Sequence, residues 1–199
     1  MNHPFTPSTA RHRPHGFTLI ELMVTIAVMV ILMSVAVPSF VSFRRNSELR
    51  GTANSFLAAM SAARAEAMKR GVKVYVVPLA DNSTDWTTGW RVYADVDWDG
   101  AYTAGTDVLI TEEPAIPSSV TVTTDTTTHV TSFTQSSGPY VAFGAAGFPA
   151  MRGADTGSPS GAIQFTVAAS GESRRVALNL IGRMRVCQAS EATCDPTQF

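Results

Sequence analysis

Between Gly16 and Phe43 the chain runs almost without interruption through apolar residues, and that run decides what it can fold into. Its polar breaks are Thr18, Glu21, Thr25, Ser34, Ser39 and Ser42, with one proline at Pro38. As a helix the run is about 40 Å long at roughly 1.5 Å per residue, enough to cross a hydrocarbon layer of about 30 Å. Burial inside a soluble domain is the less favoured alternative. The feature that needs explaining is Glu21, because a carboxylate one turn inside a membrane helix costs roughly 2.5–3.5 kcal/mol. Either it stays wet at the headgroup level, or it is held for a cation met in an assembly.

The residues Gly16-Phe17-Thr18-Leu19-Ile20-Glu21-Leu22 follow a short basic stretch with Arg11 and Arg13. Together they resemble the class III signal sequence of type IV pilins and pseudopilins. The resemblance implies a leader over residues 1–16, cut by prepilin peptidase between Gly16 and Phe17, with N-methylation of the new terminal Phe17. Glu21 then matches the pilin glutamate that meets a neighbouring subunit's N-terminal amine. Pro38 matches the proline that bends many pilin helices by removing a helical hydrogen bond.

The chain has 199 residues, so roughly 150 remain beyond leader and apolar helix, one domain of ordinary size. Taking Arg11 and Arg13 from 15 basic residues leaves 13 against 16 acidic ones, a charge of −3. A bulk polycation for nucleic acid is thereby excluded, and only a local basic patch remains open. Arginines flank the apolar run on both sides, at Arg11 and Arg13 and at Arg44, Arg45 and Arg50, so loop charge does not set its orientation. The resemblance supplies it: a single-pass protein of the bacterial inner membrane, its globular part periplasmic, entering a filament after assembly. In that oxidising compartment Cys187 and Cys194 favour a disulfide closing a tail loop over free thiols, and two cysteines alone make no metal site.

Past the apolar run the helix is expected to continue over 44–71. Leu49, Ala53, Phe56, Met60, Ala63 and Ala67 step by four and three, one apolar stripe for burial, while Glu48, Arg50, Asn54, Arg64 and Lys69 fall off it. Gly71 is a stop signal. The pattern then alternates. Strands are expected at Val72–Leu79, Gly89–Asp95, Val108–Glu112, Val141–Phe143, Ile163–Val167, Arg174–Leu178 and Arg183–Cys187, and threonine-rich Val120–Thr124 is expected as an exposed strand or a loop. No crossover helix separates them, so residues 72–199 are expected to form a mainly antiparallel sheet, an α+β fold with one long N-terminal helix. Asp81–Asp85 and Ala145–Gly161 are expected to be mobile loops.

Trp86-Thr87-Thr88-Gly89-Trp90 with Asp95, Asp97, Asp99 and Gly100 resembles the corresponding segment of the GspH/FimT group, minor pseudopilins of type II secretion and minor pilins of type IV pili. Asp95–Gly100 also begins like a calcium loop, but position 106, where the closing glutamate belongs, is Thr106, and Asp107 is one too far. A carboxylate-rich turn is the preferred reading, with no metal. Gly182-Arg183-Met184-Arg185 resembles the Gly-Arg-x-Arg motif of DNA-binding FimT-type pilins. It makes Arg183 and Arg185 candidate phosphate contacts, against the plainer reading of a solvated sheet face.

Catalysis is rejected. Gly157-Ser158-Pro159-Ser160-Gly161 has proline where a nucleophile elbow needs serine, and after processing His129 is the one histidine left, since the others are His3, His12 and His15. No cofactor is expected. The chain reads as a non-enzymatic minor pilin or pseudopilin. Its implied partners are prepilin peptidase, major and minor pilins or pseudopilins, and the inner-membrane assembly platform. DNA contact is one open reading, and service to type II protein export without DNA binding is the other.

Overall fold

The computed structural model describes residues 16–80, 85–124, 133, 138–153, 155–191 and 194–197. The leader before Gly16, Asp81–Thr84 of the first expected loop, and His129 lie outside these residues. A helix, α1, spans Leu19–Arg70, and the chain divides into two units at residues 42 and 43.

In the first unit α1 is apolar on every side. Its large side chains, Leu19 through Phe40, are more than half exposed or close to it, and no residue of the apolar window is buried within the protein. Its hydroxyls do not break the pattern. Thr25 donates to the Leu22 carbonyl at 2.8 Å and Ser34 to the Ile31 carbonyl at 2.7 Å, and Ser39 and Ser42 donate to Val35 and Pro38. Polar groups satisfied by their own helix can enter an apolar medium at little cost.

In the second unit α1 becomes one-sided. Leu49, Ala53, Phe56, Met60, Ala63 and Ala67 are each 0–1 % exposed, and Thr52 and Ala59 join them in the interior. Gly71, at φ +72°, ends the helix with its N–H on the Ala67 carbonyl, a left-handed position suited to glycine.

Eight strands follow: β1 (Val74–Pro78), β2 (Trp90–Ala94), β3 (Val108–Glu113), β4 (Val120–Thr124), β5 (Val141–Phe143), β6 (Gly161–Val167), β7 (Ser173–Leu178) and β8 (Met184–Gln188). They form two four-stranded sheets rather than one, in the orders β3-β2-β1-β5 and β4-β6-β7-β8, with all strand pairings antiparallel. The stripe of α1 packs on both. Phe56 sets its ring edge-on to Trp86 at 5.3 Å, to Trp90 at 5.1 Å and to Phe165 at 5.8 Å, joining the helix to each sheet in one core.

The first sheet is covered on its other face as well. Tyr75 and Tyr93 stack at 5.5 Å, with Tyr140 edge-on to Tyr75. Arg152 lies over the Tyr140 ring at 4.4 Å, and its backbone N–H donates to the Tyr140 hydroxyl at 2.7 Å. The stretch expected to be a mobile loop, 145–161, is therefore partly a cover. Ala150 bonds back to the Ala142 carbonyl and Gly144 to the Phe148 carbonyl, both at 2.9 Å. Burial holds the Tyr75 phenol at about 12, the Asp95 carboxylate adding to it, and pushes Tyr93 and Tyr140 higher still.

Candidate functional site

Two regions carry the candidate residues. At the first, Gly16, Phe17 and Thr18 precede the helix, and Thr18 caps it. The Glu21 N–H donates to the Thr18 hydroxyl at 3.3 Å, while the Thr18 N–H reaches the Glu21 carboxylate at 3.5 Å. This is a capping box, in which cap and third helical residue satisfy each other's open N–H groups. The signal was present in Thr18-Leu19-Ile20-Glu21, a threonine three residues before a glutamate at the start of an apolar run. Glu21 thus has a local partner within its own chain, and the acid also favours the positive end of the helix dipole.

The second region is the outer part of the β4-β6-β7-β8 sheet. Gly182, at φ +81°, closes a turn in which the Asn179 side-chain oxygen accepts from the N–H groups of Ile181 and Arg183, at 3.2 and 2.8 Å. A side chain at Gly182 would press on the Gly147 carbonyl at 3.1 Å. The turn sets Arg183 just ahead of β8 rather than on it, and Arg185 on the strand. Both are exposed. Arg185 lies 3.8 Å from Glu191, so part of its charge is answered locally.

Neighbouring arginines do not join them as one patch. Arg175 donates to the Gln164 side chain at 3.1 Å on the face shared with Arg185, which pairs with Ala177. Arg174 shares the face of the buried Val176 and lines a cleft beside α1 with Arg50. Arg64, off the stripe and so expected to face solvent or neighbours, donates to the Gly182 carbonyl at 2.8 Å and ties α1 to the turn. Cys187 and Cys194 are disulfide-bonded with Cα atoms 5.9 Å apart, fastening the tail to β8.

The acidic turn is held by its own backbone. Asp95 is buried and accepts from the N–H groups of Trp98 and Gly100, at 2.7 and 3.1 Å. Asp107 accepts from Val96 and Thr103 in the same way, at 2.9 and 2.8 Å. Burial raises the Asp95 carboxyl above the usual aspartate value. Side-chain oxygens of Asp95, Asp97 and Asp99 come within 4.8 Å of one another, but four backbone N–H groups already use the buried carboxylates that shape the turn.

A solved structure of the type IV minor pilin FimU of Pseudomonas aeruginosa superposes with a TM-score of 0.50 at 15 % identity, over 75 % of this chain and 95 % of that one. The minor pseudopilin EpsH of the type 2 secretion system of Vibrio cholerae superposes with a TM-score of 0.50 at 14 % identity, over 72 % of this chain and 99 % of that one. At such identities the likeness speaks for the fold: a long helix on antiparallel sheets. No curated protein sequence matches the chain significantly. The prokaryotic N-terminal methylation motif matches residues 11–37, across Gly16, Phe17 and Glu21. The family model described as type II transport protein GspH matches residues 52–182, from the buried stripe of α1 through β1 to β7 and as far as Gly182, and the chain belongs to that family.

Proposed function

We propose that the protein is a non-enzymatic minor pilin or pseudopilin, anchored by residues 17–43 and assembled through them into a filament. The carrying observation is the first unit: a helix apolar on all sides, unburied, with its hydroxyls satisfied internally and one carboxylate at its start. Moving such a helix from lipid into a bundle of similar helices exchanges one apolar surrounding for another, so extraction is tolerable. Cleavage between Gly16 and Phe17 frees an amine. On assembly Glu21 exchanges its capping contact with Thr18 for a neighbour's amine, and an ion pair with a full positive charge replaces a bond from a neutral amide N–H. The globular domain lies on the periplasmic side, where the Cys187–Cys194 bond is stable. Prepilin peptidase, the other pilins or pseudopilins and the assembly platform are the partners of this cycle.

Mass spectrometry of the protein from its host is expected to find a chain beginning at methylated Phe17, and an intact leader overturns the reading. Glu21→Ala is expected to leave a stable membrane protein that fails to enter filaments. A deletion strain scored for protein export, twitching and transformation separates the secretion branch from the pilus branch. A second reading, DNA contact, is favoured by one observation: Arg183 is exposed at a turn tip with no ion pair among the described residues. Arg183→Ala with Arg185→Ala is expected to weaken DNA retention and flatten its salt dependence in gel shifts.

A further inference from the structure

In the second unit α1 has a cleft on each side of its buried stripe, and the two differ in charge. One, of about 440 Å³, is lined by Arg50 and Asn54 of α1 and by Arg174, Val186 and Cys187 of β7 and β8. Neither guanidinium has an ion pair or hydrogen bond among the described residues. Two arginine forks, shaped for carboxylates, thus share one cleft whose described lining holds no carboxylate. The other cleft, of about 260 Å³, lies between α1 and the segment 113–117 that follows β3, and its charged groups are Glu48 and Glu113. Glu48 is already engaged by Ser119 at 2.7 Å and Arg44 at 3.4 Å, whereas Glu113 has no ion pair among the described residues. Pro114 and Pro117 stiffen the exposed segment beside Glu113, so little freedom is lost if it docks.

The α1 residues that line the two clefts stand at the same level of the helix and about 130° apart around it, counting 3.6 residues per turn. A basic flank and an acidic flank at one level on one element, about 130° apart, do not reach each other within a single copy, and the described residues bring no other charged partner to Arg50, Arg174 or Glu113. They can be satisfied side by side, basic flank to acidic flank, an arrangement that repeats without closing if the rotation between copies does not return to the start. We infer that the Arg50–Arg174 cleft receives Glu113 and its proline-bounded segment from a second copy of this chain. The contact rests on the filament reading for its setting. As a charge pair at an interface, it sets register and partner choice more than total affinity.

The test uses the full-length chain in host membranes, in two differently tagged copies. Asn54→Cys is placed in one and Ala115→Cys in the other, and mixed dimers are read after oxidation. A mixed dimer is expected. Arg174→Glu in the first copy is expected to cut its yield roughly fivefold or more, and Glu113→Arg in the second to restore it. Restoration by the swapped pair separates a lost contact from a misfolded variant. No mixed dimer, or a yield indifferent to charge reversal, overturns the inference. So does a loss of binding to a short DNA duplex on Arg174→Glu with the dimer unchanged, which assigns the cleft to a polyanion. Filament entry is scored in the same strains. Filaments with charge-indifferent dimers sink this inference and spare the filament reading, and charge-dependent dimers without filaments do the reverse.

Discussion

The two units share one helix but give it different surroundings. In the first, Ile31 and Leu32 are about two-thirds exposed, and none of the described residues covers them. In the second, Phe56 is fully buried among Trp86, Trp90 and Phe165. The helix of the first unit is stabilised by its internal hydrogen bonds and by whatever apolar medium surrounds it. The helix of the second is held by burial against two sheets. The lesson is that apolar residues in one continuous helix are read by different solvents, and that substitutions should show it.

Phe56→Ala should show the largest effect, destabilising the second unit by about 3–5 kcal/mol in denaturant unfolding of the detergent-solubilised chain. Leu32→Ala should leave that transition where it is. Equal effects from the two would break the contrast. Ile31→Arg is the converse probe. It should cost roughly 2.5–3.5 kcal/mol of membrane insertion, visible as loss from the membrane fraction, with the melting of the second unit unchanged.

Thr18→Ala sharpens the comparison at the other end of the scale. Removing the cap should cost about 1 kcal/mol, confined to the first turn, and appear as faster amide exchange at Leu19 through Glu21. Alkali addresses the second unit alone. Its folded state keeps the Tyr75 phenol neutral to about 12, against 10.0 in an unfolded chain, with Tyr93 and Tyr140 raised further. The raised values mean that this burial contributes in full below pH 10 and is lost as pH rises through about 12. The phenolate absorbance of Tyr75, Tyr93 and Tyr140, read in a Tyr102→Phe background, should therefore appear together with unfolding rather than before it.

Much of this was legible beforehand, and for a local reason. The six stripe residues repeat at the period of a helix, and each strand announced itself by alternation between turn residues. The strand limits moved by at most two residues, as at Val72–Leu79 against Val74–Pro78. The division into two sheets was not legible, because β5 pairs with β1 across more than sixty residues and no local pattern names its partner. The capping box was legible in Thr18 and Glu21, a threonine and a glutamate three residues apart at the head of an apolar run. Period alone left Arg64 facing solvent or neighbours, without naming a partner. Its side chain is long enough to leave the helix face and reach the Gly182 carbonyl.

By itself, then, the sequence determined the apolar helix, its start at a capped threonine, its one-sided second half and its stop at Gly71. Each depends on residues within a few turns of one another, where hydropathy and backbone preference act directly. Only the tertiary structure decided that two sheets share the stripe, that Arg174 turns away from Arg175 and Arg185, and that it converges with Arg50 in a cleft with no acid among its described lining residues. Those outcomes depend on strand register and on which distant segments pair. A shift of a single residue in register would have exchanged the faces of Arg174 and Arg175.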